Sequence, residues 1–529
     1  MAKKVLKSND SRQIDRDRTE KIVNSYIYVI LCLLPLVFWH YYKDIVNVKY
    51  FFYVGCSIAL ILLVCIFTIV SYRTNKYEKQ THLALDKKKS FRSFLKKTTL
   101  PEKMMVGFVL VALISTLQSD YFFESFWGNE GRLTGLFLIM IYGACFLILG
   151  RLSRLEERML DSFLVVGNFV CLFGITDYFQ LDIFHFKQNI VPDQKLMFTS
   201  TIGNVNLYTI FAAMVVAVAM ILFASEKKLK IGKRTFYYVT MVIAMTGLLM
   251  GQSDNAYLSL LALFGLSPLY LFRYKAGIAR YVTAIASFFT IVLSIKWMDQ
   301  TIPGAIGLSS VVPFVSGIRV FPAFVILLWI AAAAGLWITK NSGKEEASVW
   351  WKRGWIILIC LAVAAVLFVL YDCNVAGHAD RYGAIQNYVL FNDKWGTNRG
   401  FIWRIALEVY EDYPWYRKLV GFGPDTFGLA VYHKYLPQML EFSGEIYDSA
   451  HNEYIQYLVT LGAAGLFFYL ILIFSSIKRM TRSKKPEVIA ILFALLCYWF
   501  QAIVNINIPI TAPIMWTLWG LGLSASRER

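Results

Sequence analysis

The sequence predicts an all-α protein, a polytopic bundle of transmembrane helices with one long extracytoplasmic loop of short helices, and three observations predict it. Of 529 residues, 57% are hydrophobic and 17% charged, and apolar runs of about 20 residues, the length that crosses a bilayer as a helix, recur throughout. Aromatic residues make up 16% of the chain, which suits helices whose Trp and Tyr rings sit half in hydrocarbon at both interfaces. Period-two alternation is absent, which argues against a transmembrane barrel.

Composition also bounds function. A net charge of +18 on a folded domain would suggest nucleic acid, but here the basic residues alternate with hydrophobic spans and read as topology signals, so no nucleic-acid partner is expected. Of the eight Cys, Cys32, Cys56, Cys65, Cys145, Cys171, Cys360 and Cys497 lie inside apolar segments and Cys373 at a boundary, with neither a CxxC pair nor metal-ligand spacing. The polar residues 1–22 are expected to form a basic cytoplasmic tail rather than a signal peptide, since no small-residue cleavage site follows.

Apolar spans are expected at 24–42, 50–72, 104–118, 133–150, 161–180, 203–224, 236–251, 255–272, 282–296, 320–339, 355–371, 453–475, 487–505 and 511–525. Fourteen spans put both termini on one side. Twelve, with two re-entrant segments, is the alternative. Most of the 53 Lys and Arg then fall in loops on the N-terminal side, among them Arg73 to Lys103 with Lys87-Lys88-Lys89, Lys227 to Arg234 and Lys478 to Lys485. The positive-inside rule makes that side cytoplasmic. The expected organisation is a tail over 1–22, a bundle of about eleven spans over 23–371, an extracytoplasmic loop over 372–452, three spans over 453–525 and a tail over 526–529.

Outer loops are short except Ser119 to Arg132, Leu181 to Ile202, Trp297 to Gly317 and the loop from Asp372 to Asn452. A polar loop as long as the last is uncommon unless it folds and functions. Within it, Phe401, Ile402, Ile405, Ala406 and Val409 recur on a helical period, which predicts an amphipathic helix lying on the membrane. Pro414 and Gly421-Phe422-Gly423-Pro424 read as turns.

Ionisable residues inside the spans are few, which weighs against an ion-coupled transporter. Asp177 and Asp254 are the main ones, and Ser253-Asp254 reads as a helix cap. The outer side instead collects Arg132, Arg319, Arg381, Arg399, Arg404, Arg417 and His451. Arginine there can hold a diphosphate bidentately. The long loop carries seven Lys and Arg against ten Asp and Glu, so an anion site must be local.

Four stretches carry a family resemblance: Asn398-Arg399-Gly400-Phe401-Ile402-Trp403; Gly421-Phe422-Gly423-Pro424-Asp425-Thr426-Phe427; His451-Asn452-Glu453-Tyr454; and Leu461-Gly462-Ala463-Ala464-Gly465-Leu466. In order, spacing and placement on a late outer loop they resemble the signature of the O-antigen ligase and polymerase superfamily. Trp127-Gly128-Asn129-Glu130-Gly131-Arg132-Leu133-Thr134-Gly135 looks like that family's outer Arg loop, and Ile202-Gly203-Asn204-Val205-Asn206 like its Gly-Asn-x-Asn helix start. The chain departs from the family at Ser253-Asp254, where members often have Ser-Arg. Arg132 and Arg404 are the candidates to replace that second phosphate-binding Arg.

The resemblance implies a glycosyltransferase of the bacterial cell membrane that moves a glycan from a polyprenyl-diphosphate-linked donor to a hydroxyl acceptor on the outer leaflet. The acceptor is a lipid core sugar, another repeat unit or a protein, and membrane lipids surround the reaction. Inverting substitution at an anomeric carbon needs a base near the acceptor and stabilisation of the departing diphosphate. His451 is the expected base and Arg399 the diphosphate clamp, with Arg132, Arg404, Arg381, Trp403, Gly421, Gly423, Asn452 and Asn204 as further substrate-binding candidates. No metal or cofactor is expected, because a diphosphate is already a good leaving group and the outer loops hold no DxD motif. A flippase or transporter of lipid-linked oligosaccharide is the competing class; it would predict pseudo-repeat halves and charges lining a central cavity.

Overall fold

The computed structural model describes residues 17–79, 98–225, 228–307, 311–341 and 346–527. The basic tail as far as Arg16 and the Lys87-Lys88-Lys89 segment lie outside these residues.

The chain is an all-α polytopic helical protein. After a helix over residues 17–33 come α1 (Ile45–Lys79), α2 (Leu100–Leu117), α3 (Leu136–Leu152), α4 (Glu157–Tyr178), α5 (Val205–Ala224), α6 (Ile231–Met250), α7 (Ala256–Leu266), α8 (Lys275–Thr301), α9 (Phe321–Asn341), α10 (Val349–Asn374), α11 (Trp395–Asp412), α12 (Phe427–Ser443), α13 (Glu453–Met480), α14 (Pro486–Gln501) and α15 (Ala512–Ala525). Among the described residues the only strands are the antiparallel pair Phe198–Thr199 and Gly203–Asn204. Each of the fourteen expected spans falls on a helix, but among the described residues nine helices are long and apolar enough by themselves to cross a membrane. The others are short, such as Leu136–Leu152, or carry charges, as α6 does at Lys233 and Arg234.

The first span begins and ends earlier than expected. Its helix stops before Pro35, which has no N–H with which to continue the ladder. The carbonyls freed there accept from Lys49 Nζ, Leu34 O at 2.8 Å and Pro35 O at 3.0 Å, so a buried amine on α1 takes the place of the missing turn of helix.

Burial sorts the helices into layers. Every residue of α5 from Leu207 to Ala224 is buried, as expected for a helix apolar on all faces, and α6 and α14 flank it. In contrast, α9 and α10 expose Leu327, Ile330 and Trp337, and Leu361, Leu367 and Phe368. Contiguous apolar faces of that size are at home in hydrocarbon.

Ionic contacts gather the helix ends into two groups. At one end Glu102 receives both Arg151 and Arg527, and Lys233 holds Asp161 at 3.0 Å. At the other, Arg417 meets Asp120 at 2.7 Å and Gln118 Nε2 donates to Gly421 O at 2.6 Å. The long loop therefore closes over the second end of the bundle.

Candidate active site

The long loop has its own core. Phe401, Ile402, Ile405, Ala406 and Val409 on α11 are buried against Phe427, Val431, Tyr435 and Met439 of α12. This corrects the expectation of a helix lying on the membrane: the apolar stripe of α11 is covered by α12, whose matching stripe was not recognised from the sequence.

Ahead of that stripe the backbone makes a left-handed turn. Gly396, Thr397 and Asn398 have φ of 61°, 60° and 68°, and a β-branched residue in that region costs about 1–3 kcal/mol. The turn is locked by Asn398 Nδ2 donating to Tyr447 Oη at 3.1 Å and Phe401 N to Asp393 O at 3.0 Å. Arg399 is the residue it delivers. Nη1 donates to Gly396 O at 2.8 Å, while Nε is buried with no hydrogen-bond partner, and burial lowers the pKa of the guanidinium from its ordinary value. No acidic side chain pairs with Arg399 among the described residues. An arginine in such a setting stays charged and is primed to bind an anion that offers several acceptor oxygens.

His451 stands where the loop returns to the bundle, with φ 46°. Its neighbours hold this strained position: Trp403 Nε1 donates to Ala450 O at 2.9 Å, Ala450 N donates to Gln456 Oε1 at 2.9 Å, and His451 N donates to Ser449 Oγ at 3.4 Å. Burial, then the charges of Arg132 and Arg399, push the imidazole down to about 4, against a smaller opposing effect of Asp448. His451 is therefore neutral at pH 7 and able to accept a proton.

Arg132 reaches this site from the loop before α3. Its Nε donates to Asp448 Oδ2 at 2.8 Å, with Nη2 on the other carboxylate oxygen. Burial would raise the Asp448 carboxyl, but Arg132 more than compensates and holds it below the ordinary value. Asp425, buried at φ 58°, accepts from Asn129 N at 2.7 Å and Thr134 N at 2.9 Å. Two carboxylates from the late loop thus fix the early loop that carries Arg132. Burial raises Asp425 and those amides lower it, burial being the larger effect.

Other predicted residues have different surroundings. Arg404 is spent on Asp393, at 3.0 and 2.9 Å, and on Glu408 at 2.9 Å, so of the two candidates to replace the missing Arg only Arg132 stands beside His451. Arg381 is largely exposed and faces Asp372 at 3.5 Å, in a cluster with His378 and Tyr382 at the end of α10. Asn452 caps α13, accepting from Tyr454 N at 2.9 Å and Ile455 N at 3.1 Å. Asn204 caps α5 through Asn206 N at 2.9 Å. Neither Ser253 nor Asp254 caps α7: Ser253 Oγ donates to Asn206 Oδ1 at 2.7 Å and Asp254 accepts from Tyr388 Oη at 3.4 Å.

The Gly-x-Gly turn packs against a break in α13. Phe422 N donates to Val459 O at 3.2 Å and Gly423 N to Thr460 O at 3.0 Å, where α13 is interrupted by Gly462 at φ 70°. A Cβ on Gly421 would stand 2.2 Å from the Thr460 carbonyl. In this structure Gly421 serves backbone approach and Gly423 leaves room for the hydroxyls of Ser125 and Ser119, and a phosphate would have to compete with that packing.

Sequence reasoning missed Asp448, the structural part of Asp425, Gln456 and Glu453. Glu453 is buried on α13, accepting from Tyr469 Oη at 2.7 Å and Tyr498 Oη at 3.2 Å, at the floor of a cavity of about 40 Å³ that Arg132, Asp425 and Ser449 also line. The one available signal was an acidic residue three positions before His451 and another two after it.

A neutral imidazole, a buried guanidinium free of acids and a second arginine held by a carboxylate can take a proton from a hydroxyl while binding an anion. Comparison with known proteins gives this chemistry a context. Residues 304–470 match the family model described as O-antigen ligase, a segment that includes Arg399, the Gly421 to Gly423 turn and His451 but neither Arg132 nor Asn204. No curated protein matches the chain. The resemblance read from the late-loop motifs is borne out over residues 304–470, which carry an O-antigen ligase domain and support a membrane enzyme of polysaccharide biosynthesis.

Proposed function

We propose that this protein transfers a glycan from a polyprenyl-diphosphate-linked donor to a hydroxyl acceptor at the extracytoplasmic face of a bacterial membrane, as a polysaccharide polymerase or an O-antigen-type ligase. The observation that carries this reading is the pairing of a neutral His451 with Arg399, whose buried guanidinium has an unpartnered Nε and no acidic partner among the described residues.

His451 removes the proton of the acceptor hydroxyl as its oxygen attacks the anomeric carbon from the face opposite the leaving group. A new glycosidic bond forms, the bond from the anomeric carbon to the diphosphate oxygen breaks with inversion, and the released polyprenyl diphosphate keeps the electron pair. Arg399 stabilises the charge that grows on that leaving group, the kind of fixed donor whose removal costs about 10²–10³ in rate. Arg132 sets the orientation of the His451 loop through Asp448 and adds positive charge beside the diphosphate. The loop over 372–452 is the catalytic unit in this reading, with the tails and the basic loops on the cytoplasmic side. No step passes through a metal.

The test uses purified protein in lipid with a polyprenyl-diphosphate-linked oligosaccharide and an added acceptor. Longer lipid-linked chains identify a polymerase and label on the acceptor a ligase. Movement of the donor between leaflets with no transfer overturns the enzyme reading in favour of a flippase.

A further inference from the structure

A second recess lies at the same end of the bundle, between the segment that joins the first helix to α1 and the connection from α4 to α5. It encloses about 540 Å³, within the size range of small-molecule sites. Its place follows from contacts. Tyr42 Oη donates to Ser200 O at 2.8 Å, which ties the recess to the hairpin leading into α5. The α5 start meets Ser253 through Asn206, and the adjoining Asp254 meets Tyr388 of the long loop.

The walls combine two chemistries. Phe186 is buried beneath Tyr41 and Tyr42, with ring centroids 5.1 and 5.5 Å away, and Tyr42 stacks on Phe198 at 5.0 Å. Tyr41 remains 40% exposed, so one ring offers its surface to a ligand. Asn189 and Gln194, both exposed, also line the recess, and their side-chain amides have no hydrogen-bond partner among the described residues. Each amide can both donate and accept.

The backbone around the recess is strained. His40, Tyr41, Asp182 and His185 have φ of 48°, 55°, 38° and 57°, left-handed values that cost about 1–3 kcal/mol each for residues other than glycine and gather where geometry serves function. The strain is held in place: Asp182 Oδ1 accepts from Lys187 N at 3.2 Å, and Lys187 Nζ in turn meets buried Asp177 at 3.4 Å.

We propose that this recess is a glycan-holding subsite, separate from the His451 site, that takes an uncharged stretch of the oligosaccharide being transferred. It rests on the glycosyltransferase reading for the identity of its ligand. A pyranose presents an apolar C–H face beside a rim of hydroxyls, and a half-exposed ring in one recess with two exposed amides offers a partner to each. The walls suit a lipid headgroup less well, because the exposed cation at the rim, Lys43, is single and His40 is occupied by Asp44 at 3.1 Å.

The test measures binding of oligosaccharides cut from the producing cell's own surface polysaccharide to the full chain in lipid nanodiscs, for wild type, Tyr41→Ala, Gln194→Ala and His451→Ala. Wild type and His451→Ala are expected to bind alike. Tyr41→Ala and Gln194→Ala are expected to bind about tenfold more weakly, the scale of one lost stacking or hydrogen-bonding contact. Equal binding by all four proteins, or binding by none, overturns the subsite. So does a change confined to retention of anionic lipid, which would make the recess a headgroup site. If wild type transfers no glycan yet shows this binding pattern, the subsite stands and the transferase reading fails.

Discussion

Trp403 Nε1 donates to Ala450 O at 2.9 Å, and this bond fastens the helix that begins at Arg399 to the residue before His451. The two proposed reacting groups, more than fifty positions apart in the chain, are thereby held by one indole. Trp403→Phe keeps the ring and removes the donor. A net hydrogen bond is worth about 1 kcal/mol, so the melting temperature should barely move, whereas the loosened geometry should lower kcat about tenfold. Wild-type kcat in Trp403→Phe, measured by product formation under saturating donor, would show that the bond does not position the site.

Arg399 and Arg404 lie on the same helix and should behave differently. Arg404 is an exposed cation on Asp393 and Glu408, and exposed pairs contribute about 0–1 kcal/mol. Arg404→Ala should keep activity within about threefold. Arg399→Ala should lose about 10²–10³ in rate with normal membrane insertion. The reverse ranking in a transfer assay would move the anion site to Arg404.

The pH dependence follows from His451, lowered to about 4 by burial and two guanidinium charges. In the free enzyme the acid limb of kcat/KM should fall near pH 4 instead of near the ordinary 6.5. Bound diphosphate places negative charge beside the ring, so the limb of kcat should lie higher than that of kcat/KM. The stability effect has a definite sign: the unfolded chain takes up the His451 proton before the folded one does, so this contribution is complete above pH 6.5 and is lost as pH falls toward 4. Melting temperatures of wild type and His451→Gln across that window measure it, and parallel curves would contradict it.

Gly421 and Gly462 face each other across the break in α13. A Cβ at Gly421 would lie 2.2 Å from the Thr460 carbonyl and one at Gly462 2.4 Å from the Leu419 carbonyl, both at positive φ. Alanine at either position should sharply reduce the monodisperse fraction extracted from membranes. Gly131 also has positive φ but has nothing within 4 Å of its Cβ position, so Gly131→Ala carries only the backbone strain, about 1–3 kcal/mol, and should reduce that fraction much less. Equal behaviour of all three by size-exclusion chromatography would show that the close approach does not matter.

Much of this was legible in the sequence, because helix positions follow from the length of apolar runs and His451 stands at a visible loop-to-helix junction. What was not legible depends on partner choice across the fold. Arg404 and Arg132 look alike as letters, and only the tertiary structure puts Asp393 and Glu408 on one and Asp448 beside the other. The apolar stripe of α11 has the same period whether it meets lipid or a helix, so its burial under α12 could not be read from periodicity. Similarly, Gly396 and Asn398 allow a left-handed turn, but Thr397 between them does not announce one.

The most direct test of the central claim is glycan transfer by the Arg399→Ala and His451→Ala proteins beside wild type, in lipid with a polyprenyl-diphosphate-linked oligosaccharide, read by gel and mass spectrometry and repeated with chelator. The account predicts product from wild type with or without chelator, and loss of product in both variants at unchanged membrane yield. Normal product length and amount from either variant would contradict the roles given to that residue, and chelator inhibition reversed by a divalent ion would contradict a metal-free transfer.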